Sequence, residues 1–315
     1  MKAALYNSYG GPDVVTIGEI ARPEIKDDEV LVKVYATTVT SADWRFRASA
    51  YPHWYMWIIG RLMTGVTRPK APVLGREFAG RVVAVGKAVT RFRLGDEVFG
   101  SGSRTGTHAE YLAIGEADAI AHKPAALGYD EAAAVPFGAL AALVFLRDFA
   151  KLEPGQKVAV VGASGAVGAY AVQIARHMGA TVTGVASTRN LALVTALGAD
   201  RVVDYTEENF AKAGENYDLV IDTVGATTFA QVEQALAPRG TYLPVEFGVR
   251  EAMQSLGNKR RGKKVVIGIS GDSREDIEHI ARLLDRGAIR PVIDSRHGFA
   301  DIREAHRRVD SRRKT

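Results

Sequence analysis

Residues 158–180, VAVVGASGAVGAYAVQIARHMGA, constrain this chain more than any other stretch. An apolar strand ends at Val161, a glycine-rich turn follows from Gly162 to Gly168, and an apolar helical pattern begins near Ala166. Strand, loop and helix in that order open a βαβ unit. Such a turn lets backbone approach a pyrophosphate, and a side chain at Gly165 would obstruct it. The new helix points unpaired N–H groups and its positive end at the anion. Gly168 allows helix and strand to pack closely. The spacing departs from Gly-x-Gly-x-x-Gly at its first glycine, where Ala163 stands. Ser164, Gly165, Ala166 and Val167 are the expected phosphate contacts, and a purely structural glycine turn is the alternative.

Strands alternate with helical stretches from there on. KVAVV (157–161), TVTGV (181–185), RVV (201–203), DLVID (218–222), TYLPV (241–245) and KVVIGI (264–269) predict an α/β fold, a Rossmann-type doubly wound parallel sheet. The first third reads differently. EVLVKVYATTV (29–39) puts Val30, Val32, Val34 and Ala36 on one face, and GRVVAVG, DEVFG and AEYLAI are short punctuated strands. They predict a partly open β-barrel. A chain of 315 residues is too long for one ordinary core. The expected division is 1–121 with 271–315 in one domain and 122–270 in the other. After residue 271 the pattern is helix, link and helix, with no closing strand.

Composition narrows the chemistry. The chain has no cysteine, which removes disulfides, thiolate catalysis and Cys-based zinc sites. Its seven histidines show no metal-ligand spacing, so no metal is expected. His53 and His108 are weighed only as acids. The apolar run 132–146 is shorter than a membrane span and contains Pro136, so it reads as a buried helix. The opening MKAALYNSYGG has no long apolar stretch, and the expected compartment is the cytoplasm, with no membrane association. The net charge of +5 is concentrated near REAHRRVDSRRKT. Without a nucleic-acid motif this reads as a solvated helix face, and no nucleic-acid partner is expected.

The second strand of the parallel sheet runs into VASTRN (185–190). A carboxylate there would hold a ribose 2′-OH and repel a 2′-phosphate. Ser187, Thr188 and Arg189 stand there instead, and hydroxyls with a guanidinium suit the phosphate. NADPH is the expected cofactor. The alternative for Arg189 is an ordinary surface arginine.

The motifs VLGREFAGRVVAVG (73–86), GDEVFG (95–100), HAEYLAI (108–114), GASGAVG (162–168), LGADRVVDYTEENF (197–210) and YDLVIDTVG (217–225) span nearly the whole chain. In them the sequence resembles the medium-chain dehydrogenase/reductase superfamily, in its zinc-free quinone oxidoreductase branch. The resemblance implies a GroES-like β-barrel catalytic domain followed by a Rossmann domain. It implies that Arg189 and Tyr205 hold the adenosine phosphate, and that Thr223, Phe247 and Gly248 lie near the nicotinamide and its ribose. It also implies a homodimer through the last Rossmann strand. Zinc-dependent relatives need a Cys near residue 41 and a His in Gly-His-Glu. Here Ser41 and Arg76 occupy those places.

Without a Lewis acid, alcohol oxidation loses its alkoxide stabiliser. Hydride delivery to an activated acceptor needs only hydrogen-bond donors and a proton. The resemblance therefore implies reduction of a quinone or an α,β-unsaturated carbonyl. Thr40, Ser41, Tyr55 and Tyr111 are the candidate donors, against ordinary capping and packing roles. Asp43 reads equally as structural or catalytic. All three tryptophans fall between 44 and 57. Trp54, Tyr55 and Trp57 are expected to line or cover a bulky hydrophobic substrate, against packing under a long loop or a membrane or partner patch. Two rival functions stand beside this one: a ketone or enoyl reductase dedicated to one metabolite, and a non-catalytic NADPH-binding regulatory or nucleic-acid-binding protein.

Overall fold

The structure, a computed structural model, describes residues 1–51, 54–102, 106–257 and 262–311. His53 lies outside them. The chain divides into two compact units. The first holds Met1–Phe137, Asp272–Asp285 and the segment beginning at Pro291; the second holds Gly138–Gly271 and Arg286–Arg290.

Among the described residues, seven strands belong to the first unit: β1 (Lys2–Tyr6), β2 (Val15–Glu19), β3 (Glu29–Thr37), β4 (Glu77–Val85), β5 (Glu97–Ser101), β6 (Tyr111–Gly115) and β7 (Ile120–His122). An antiparallel sheet runs β6-β3-β4-β5-β7, and β1 and β2 form a separate antiparallel pair. Single bridges at Ala3–Ala109 and Leu5–Val73 tie that pair to the rest of the unit. Val30 and Val32 are fully buried with Phe78, Val98, Leu112 and Ile120, and Val34 packs against them. Period-2 alternation thus became one core face, each buried Val or Leu contributing about 1.5–3 kcal/mol of transfer free energy.

The stretch 41–64 departs from the β-rich expectation. It forms helices Ser41–Ala48 and Trp54–Thr64. Thr40 caps the first, with Asp43 at the third helical position reaching back to the Thr40 N–H, 2.7 Å. That is the capping box, and TSAD spells it in the sequence.

The second unit carries β8 (Lys157–Val161), β9 (Thr181–Ala186), β10 (Arg201–Asp204), β11 (Tyr217–Asp222), β12 (Leu236–Pro244) and β13 (Lys264–Val265). Every pairing is parallel, in the order β10-β9-β8-β11-β12-β13. Renumbered within the unit this is 3-2-1-4-5-6, the Rossmann order, which reverses between β8 and β11. KVVIGI is shorter as a strand than its apolar character suggests. Only Lys264 and Val265 pair with β12, with one further hydrogen bond from Val266 N to the Tyr242 carbonyl, and β13 is the edge of the sheet among the described residues. Beyond it Ile269 is 83% exposed.

The apolar run read as a buried helix is part of a helical stretch, Tyr129–Phe149. Its 21 residues are long and apolar enough to cross a membrane, yet 72% of the apolar window is buried inside the molecule. Pro136 opens a new helix there, a position where its missing N–H costs nothing.

Of the basic residues near the end of the chain, Arg303, Arg307 and Arg308 are engaged within the first unit; Arg312, Arg313 and Lys314 lie outside the described residues. In helix Ile302–Asp310, Arg307 pairs with Asp13 and Glu304, Arg308 pairs with Asp294, and Arg303 donates to the Val15 carbonyl. Ile302, His306 and Val309 form the buried stripe of that helix.

Candidate functional site

The carboxyl ends of β8, β9, β10, β11 and β12 build the first candidate site. Gly162 takes φ +78°, a left-handed turn that glycine adopts without strain. It does so one position before the usual first glycine, which leaves Ala163 free to be a fully buried methyl. A Cβ on Gly168 would stand 2.1 Å from the Gly162 carbonyl oxygen, so helix Ala166–His177 packs on the loop at glycine distance. Gly165 is different. Its backbone (φ −76°, ψ 171°) suits any residue, and an added Cβ would meet only the Gly162 oxygen, at 3.3 Å. The protein's own packing leaves the space in front of Gly165 open. The first turn of the helix directs the N–H groups of Ala166, Val167 and Gly168 outward without intrahelical acceptors. Open space, unpaired donors and a helix N-terminus fit a pyrophosphate.

Neighbouring strand ends fix this loop. Thr223 Oγ1 donates to the Val161 carbonyl at 2.9 Å, so its hydroxyl holds β8 to β11. Asp222 is fully buried and accepts from Val224 N, Thr227 N and Thr227 Oγ1 at 2.7–3.0 Å, which fixes the turn after β11. Asn190, absent from the sequence expectation, is buried, and its Nδ2 donates to Ser164 Oγ at 2.8 Å. No local pattern distinguishes this asparagine from a helix cap. Ser187 is half-buried, Thr188 and Arg189 are exposed, and Tyr205 at the end of β10 is exposed beside them. Tyr205 N donates to the Ala186 carbonyl, which brings the two strand ends together. Asp204 lies here as well. Thr188 and Thr206 hydrogen bonds hold its carboxyl below the usual range, so Arg189 must outweigh a fixed negative charge to favour a phosphate. Phe247 is half-buried and Gly248 buried at the start of helix Val249–Gly257.

A second candidate site lies within the first unit. A cavity of about 270 Å³ is lined by Tyr6, Asp43, Phe46, Lys70, Gly75 and Arg76, among others. Asp43 is buried, accepts from Thr40 N and Thr40 Oγ1 with one oxygen, and from Gly75 N (2.9 Å) with the other. It therefore holds the helix start against the turn before Arg76. Arg76 pairs with Asp272 at 3.1 Å, and Asp272 also accepts from Ser101 Oγ. Burial, then the neighbouring Tyr9, pushes the Tyr6 phenol up to about 12.

None of the four hydroxyl residues singled out from the sequence lines this cavity. The Thr40 hydroxyl is committed to Asp43, 2.8 Å away. Tyr111 stands on edge strand β6 with the Arg22 guanidinium 4.1 Å above its ring. Tyr55 meets Trp54 edge-on at 6.1 Å. Ser41, at the first position of its helix, is half-exposed. Trp54 and Trp57 are exposed, and the helix that carries them contributes Met63 and Thr64 to the lining instead. The sequence expectation missed Tyr6 and Lys70. Arg76 had a signal, since it stands where zinc-binding relatives place a histidine. His108 is fully buried behind the lining residue Gly75, its Nε2 is 2.8 Å from the Thr38 carbonyl, and it packs against His306.

A Rossmann sheet with an anion-accepting glycine loop, in one chain with a GroES-like unit, defines a class of two-domain dehydrogenases and reductases. Residues 26–153 match the alcohol dehydrogenase GroES-like domain and residues 197–315 match the zinc-binding dehydrogenase domain. The chain is 32% identical over 311 residues to 2-methylene-furan-3-one reductase of Solanum lycopersicum, covering 95% of this chain and 73% of the relative. It is 30% identical to the chloroplastic NADPH-dependent alkenal/one oxidoreductase of Arabidopsis thaliana, over 97% of this chain and 75% of that one. The quinone oxidoreductase structure from Coxiella burnetii superposes with a TM-score of 0.86 at 27% identity, over 99% of this chain and 96% of the other. The chain belongs to the medium-chain dehydrogenase/reductase superfamily, in its quinone oxidoreductase branch.

Proposed function

We propose that this chain is a zinc-independent, NADPH-dependent reductase of quinones and α,β-unsaturated carbonyls. The observation that carries the reading is Gly165, a glycine that the fold does not need, facing open space at a helix N-terminus. The relatives named for NADPH-dependent alkenal/one oxidoreduction, 2-methylene-furan-3-one reduction and quinone oxidoreduction support the cofactor and the acceptor class. Zinc-independence is supported by the ligand positions themselves. The chain has no cysteine, and the guanidinium of Arg76 would repel a cation where relatives bind one.

Bound NADPH supplies a hydride from C4 of its nicotinamide. Ser164, Gly165, Ala166 and Val167 would hold its pyrophosphate, Ser187 and Arg189 with Tyr205 would hold the 2′-phosphate, and Thr223, Phe247 and Gly248 would serve the nicotinamide end. In the cavity, the Tyr6 phenol and the Arg76 guanidinium hold the acceptor's carbonyl oxygen. Both groups would hold the negative charge that develops on that oxygen during reduction. With its pKa about 12, Tyr6 stays protonated and able to donate at neutral pH. Solvent completes the product by protonating the α-carbon. None of the four hydroxyls suggested by the sequence lines the cavity; Ser41, half-exposed at the start of the helix whose Asp43 and Phe46 do line it, is the proton relay we retain first. Thr40 is held in its cap, and Tyr55 and Tyr111 stand outside the lining. Trp54, Tyr55 and Trp57 form the rim that a bulky hydrophobic acceptor meets.

We also read the protein as a cytoplasmic homodimer that pairs along Lys264–Val265 and the stretch after it. The exposed Ile269, with the exposed Val249, Met253 and Leu256 of helix Val249–Gly257, supports that pairing. The ion pairs made by Arg307 and Arg308 argue against a nucleic-acid partner.

The test is NADPH and NADH oxidation with a quinone, small and bulky enones, a saturated ketone and an aldehyde. Turnover of quinone or enone with NADPH preferred supports the reading. Turnover confined to the saturated ketone, or dependence on added zinc, overturns it.

A further inference from the structure

The helix Trp54–Thr64 buries only Gly60. The Tyr51 ring covers that glycine so closely that a Cβ there would stand 2.3 Å from it. The same inner side is pinned by Tyr9, whose hydroxyl meets Thr64 Oγ1 at 2.9 Å and donates to the Gly65 carbonyl at 2.7 Å. The outer side is apolar and uncovered. Trp54 is 76% exposed, Leu62 61% and Met63 72%, with Ile58 and Ile59 exposed between them. This is a firmly seated helix with a broad apolar face in solvent, where a monomeric soluble protein seldom keeps one.

Charge identifies the occupant. From Trp44 to Arg76 the chain has six basic residues and no Asp or Glu. Arg47 is buried against Asp310 and Arg76 pairs with Asp272. Of the other four, Arg61 lies within the exposed helix, and Arg45, Arg68 and Lys70 lie before and after it. Arg61 is half-buried on the inner side, over the Tyr9 ring at 3.7 Å and near Trp57 at 5.3 Å, with Nε and Nη1 buried, so it is not one of the outward cations. Arg68 and Lys70 follow the helix C-terminus and have no carboxylate partner among the described residues. Arg45 lies over the Trp44 ring. A second copy of this chain docking through a twofold axis would set the exposed Arg68 and Lys70 against their own counterparts. An anionic lipid surface complements both features. Its headgroups meet the exposed Arg68 and Lys70 while Trp, Ile and Leu sink to the acyl boundary.

We propose that the helix Trp54–Thr64 is a membrane-surface anchor that seats this protein on anionic lipid. The inference goes against the sequence expectation of no membrane contact. It does not depend on which acceptor is reduced, although a quinone or long-chain enone dissolved in lipid would arrive beside Met63 and Thr64, which line the cavity.

The test uses the full chain with vesicles of phosphatidylcholine alone, or with about a third phosphatidylglycerol. Co-sedimentation and tryptophan emission report binding. The wild type is expected to bind the anionic vesicles at low salt with a blue shift, and at least about tenfold more weakly to neutral vesicles or at high salt. The double variant Ile59→Glu/Leu62→Glu, at exposed positions outside the cavity, should weaken vesicle binding at least about tenfold. It should keep its thermal midpoint and its NADPH turnover of a water-soluble enone. Absence of vesicle binding at low salt, or binding that the double variant leaves intact, overturns the anchor. So does light scattering in which the double variant dissociates a wild-type dimer, because the face would then belong to a second copy. None of these results touches the reductase reading, which the turnover assay judges separately.

Discussion

Replacing Gly165 and Gly168 one at a time by alanine separates a glycine kept for a ligand from one kept for the fold. At Gly165 the backbone is already in a region open to alanine, and the new methyl meets one oxygen at 3.3 Å. Alanine restricts the unfolded chain, which stabilises by about 0.4–1 kcal/mol. It is also a poorer N-cap than glycine, which costs up to about 1 kcal/mol. These offset, and the thermal midpoint should move by less than about 4 °C. At Gly168 the methyl would lie 2.1 Å from the Gly162 oxygen and 2.8 Å from its carbon. Backbone cannot step aside as a rotamer can, so helix and loop must separate, costing about 1–3 kcal/mol.

Binding should follow a different order from stability. A methyl at Gly165 fills the space assigned to the pyrophosphate and lengthens one of its charge-assisted hydrogen bonds. Losing such a bond costs about 1.5–3 kcal/mol, or roughly 10- to 150-fold in affinity. Titration calorimetry with NADPH, together with thermal melts with and without it, reads both quantities. Gly165→Ala should melt like the wild type and gain little from NADPH. If it melts like the wild type and binds NADPH within about twofold of it, the loop does not cradle the pyrophosphate and the cofactor assignment fails.

Arg189→Ala should raise the NADPH KM about tenfold, the lower end for an exposed charge-assisted contact beside Asp204, and leave the NADH KM unchanged. Equal effects on both cofactors would remove Arg189 from the 2′-phosphate. Tyr6→Phe should lower kcat for an enone by about a hundredfold without changing NADPH affinity; an unchanged kcat would dismiss Tyr6 as an oxygen holder. His306 should make the fold acid-sensitive. Burial first, then the neighbouring His108, lowers its pKa from 6.5 to about 3; Arg47 acts in the same direction and Asp43 against it. The unfolded chain thus binds this proton more readily, so its stabilising contribution is complete above about pH 6.5 and is lost as pH falls towards 3. Melts from pH 7 to 4 should fall steeply in the wild type and less steeply in His306→Leu; parallel curves would show that the ring does not carry the effect.

The Rossmann half was legible because its signals are local. KVAVV and DLVID are continuous apolar runs, as strands buried on both faces must be, and both appear within a residue of their expected limits. KVVIGI misled because apolar character says that a strand can be covered, not that a partner edge exists; only two of its residues pair. The helices at 41–64 were missed although TSAD carries a capping box, because WYMWIIG has no polar side to mark a helical period. The cavity was hardest to anticipate. Tyr6 on β1 and Arg76 before β4 meet only through tertiary packing, since the bridge from Leu5 to Val73 joins segments far apart in sequence. The hydroxyl of Thr40 looked available in the sequence and is spent on Asp43. A side chain's chemistry is legible from its letter, but whether its hydrogen bond is already made is not.

The exchange at position 76 bears on the direction of the reaction. Zinc stabilises an alkoxide by direct coordination and lowers the pKa of a bound hydroxyl by many units. A guanidinium paired to Asp272 supplies hydrogen bonds and a shared positive charge, worth a few kcal/mol in an active site. That suits an enolate or hydroquinone oxygen, whose charge is spread by conjugation, and falls short for the localised charge of a simple alkoxide. On the proposed reading, restoring histidine at 76 should not produce an alcohol dehydrogenase, since Ser41 would still stand at the Cys position and no cysteine exists elsewhere in the chain. Arg76→His should lose enone turnover without gaining zinc-dependent oxidation of a primary or secondary alcohol. Zinc-stimulated alcohol oxidation by that single variant would mean that the site can assemble a metal centre from other ligands, and the argument from positions 41 and 76 would fall.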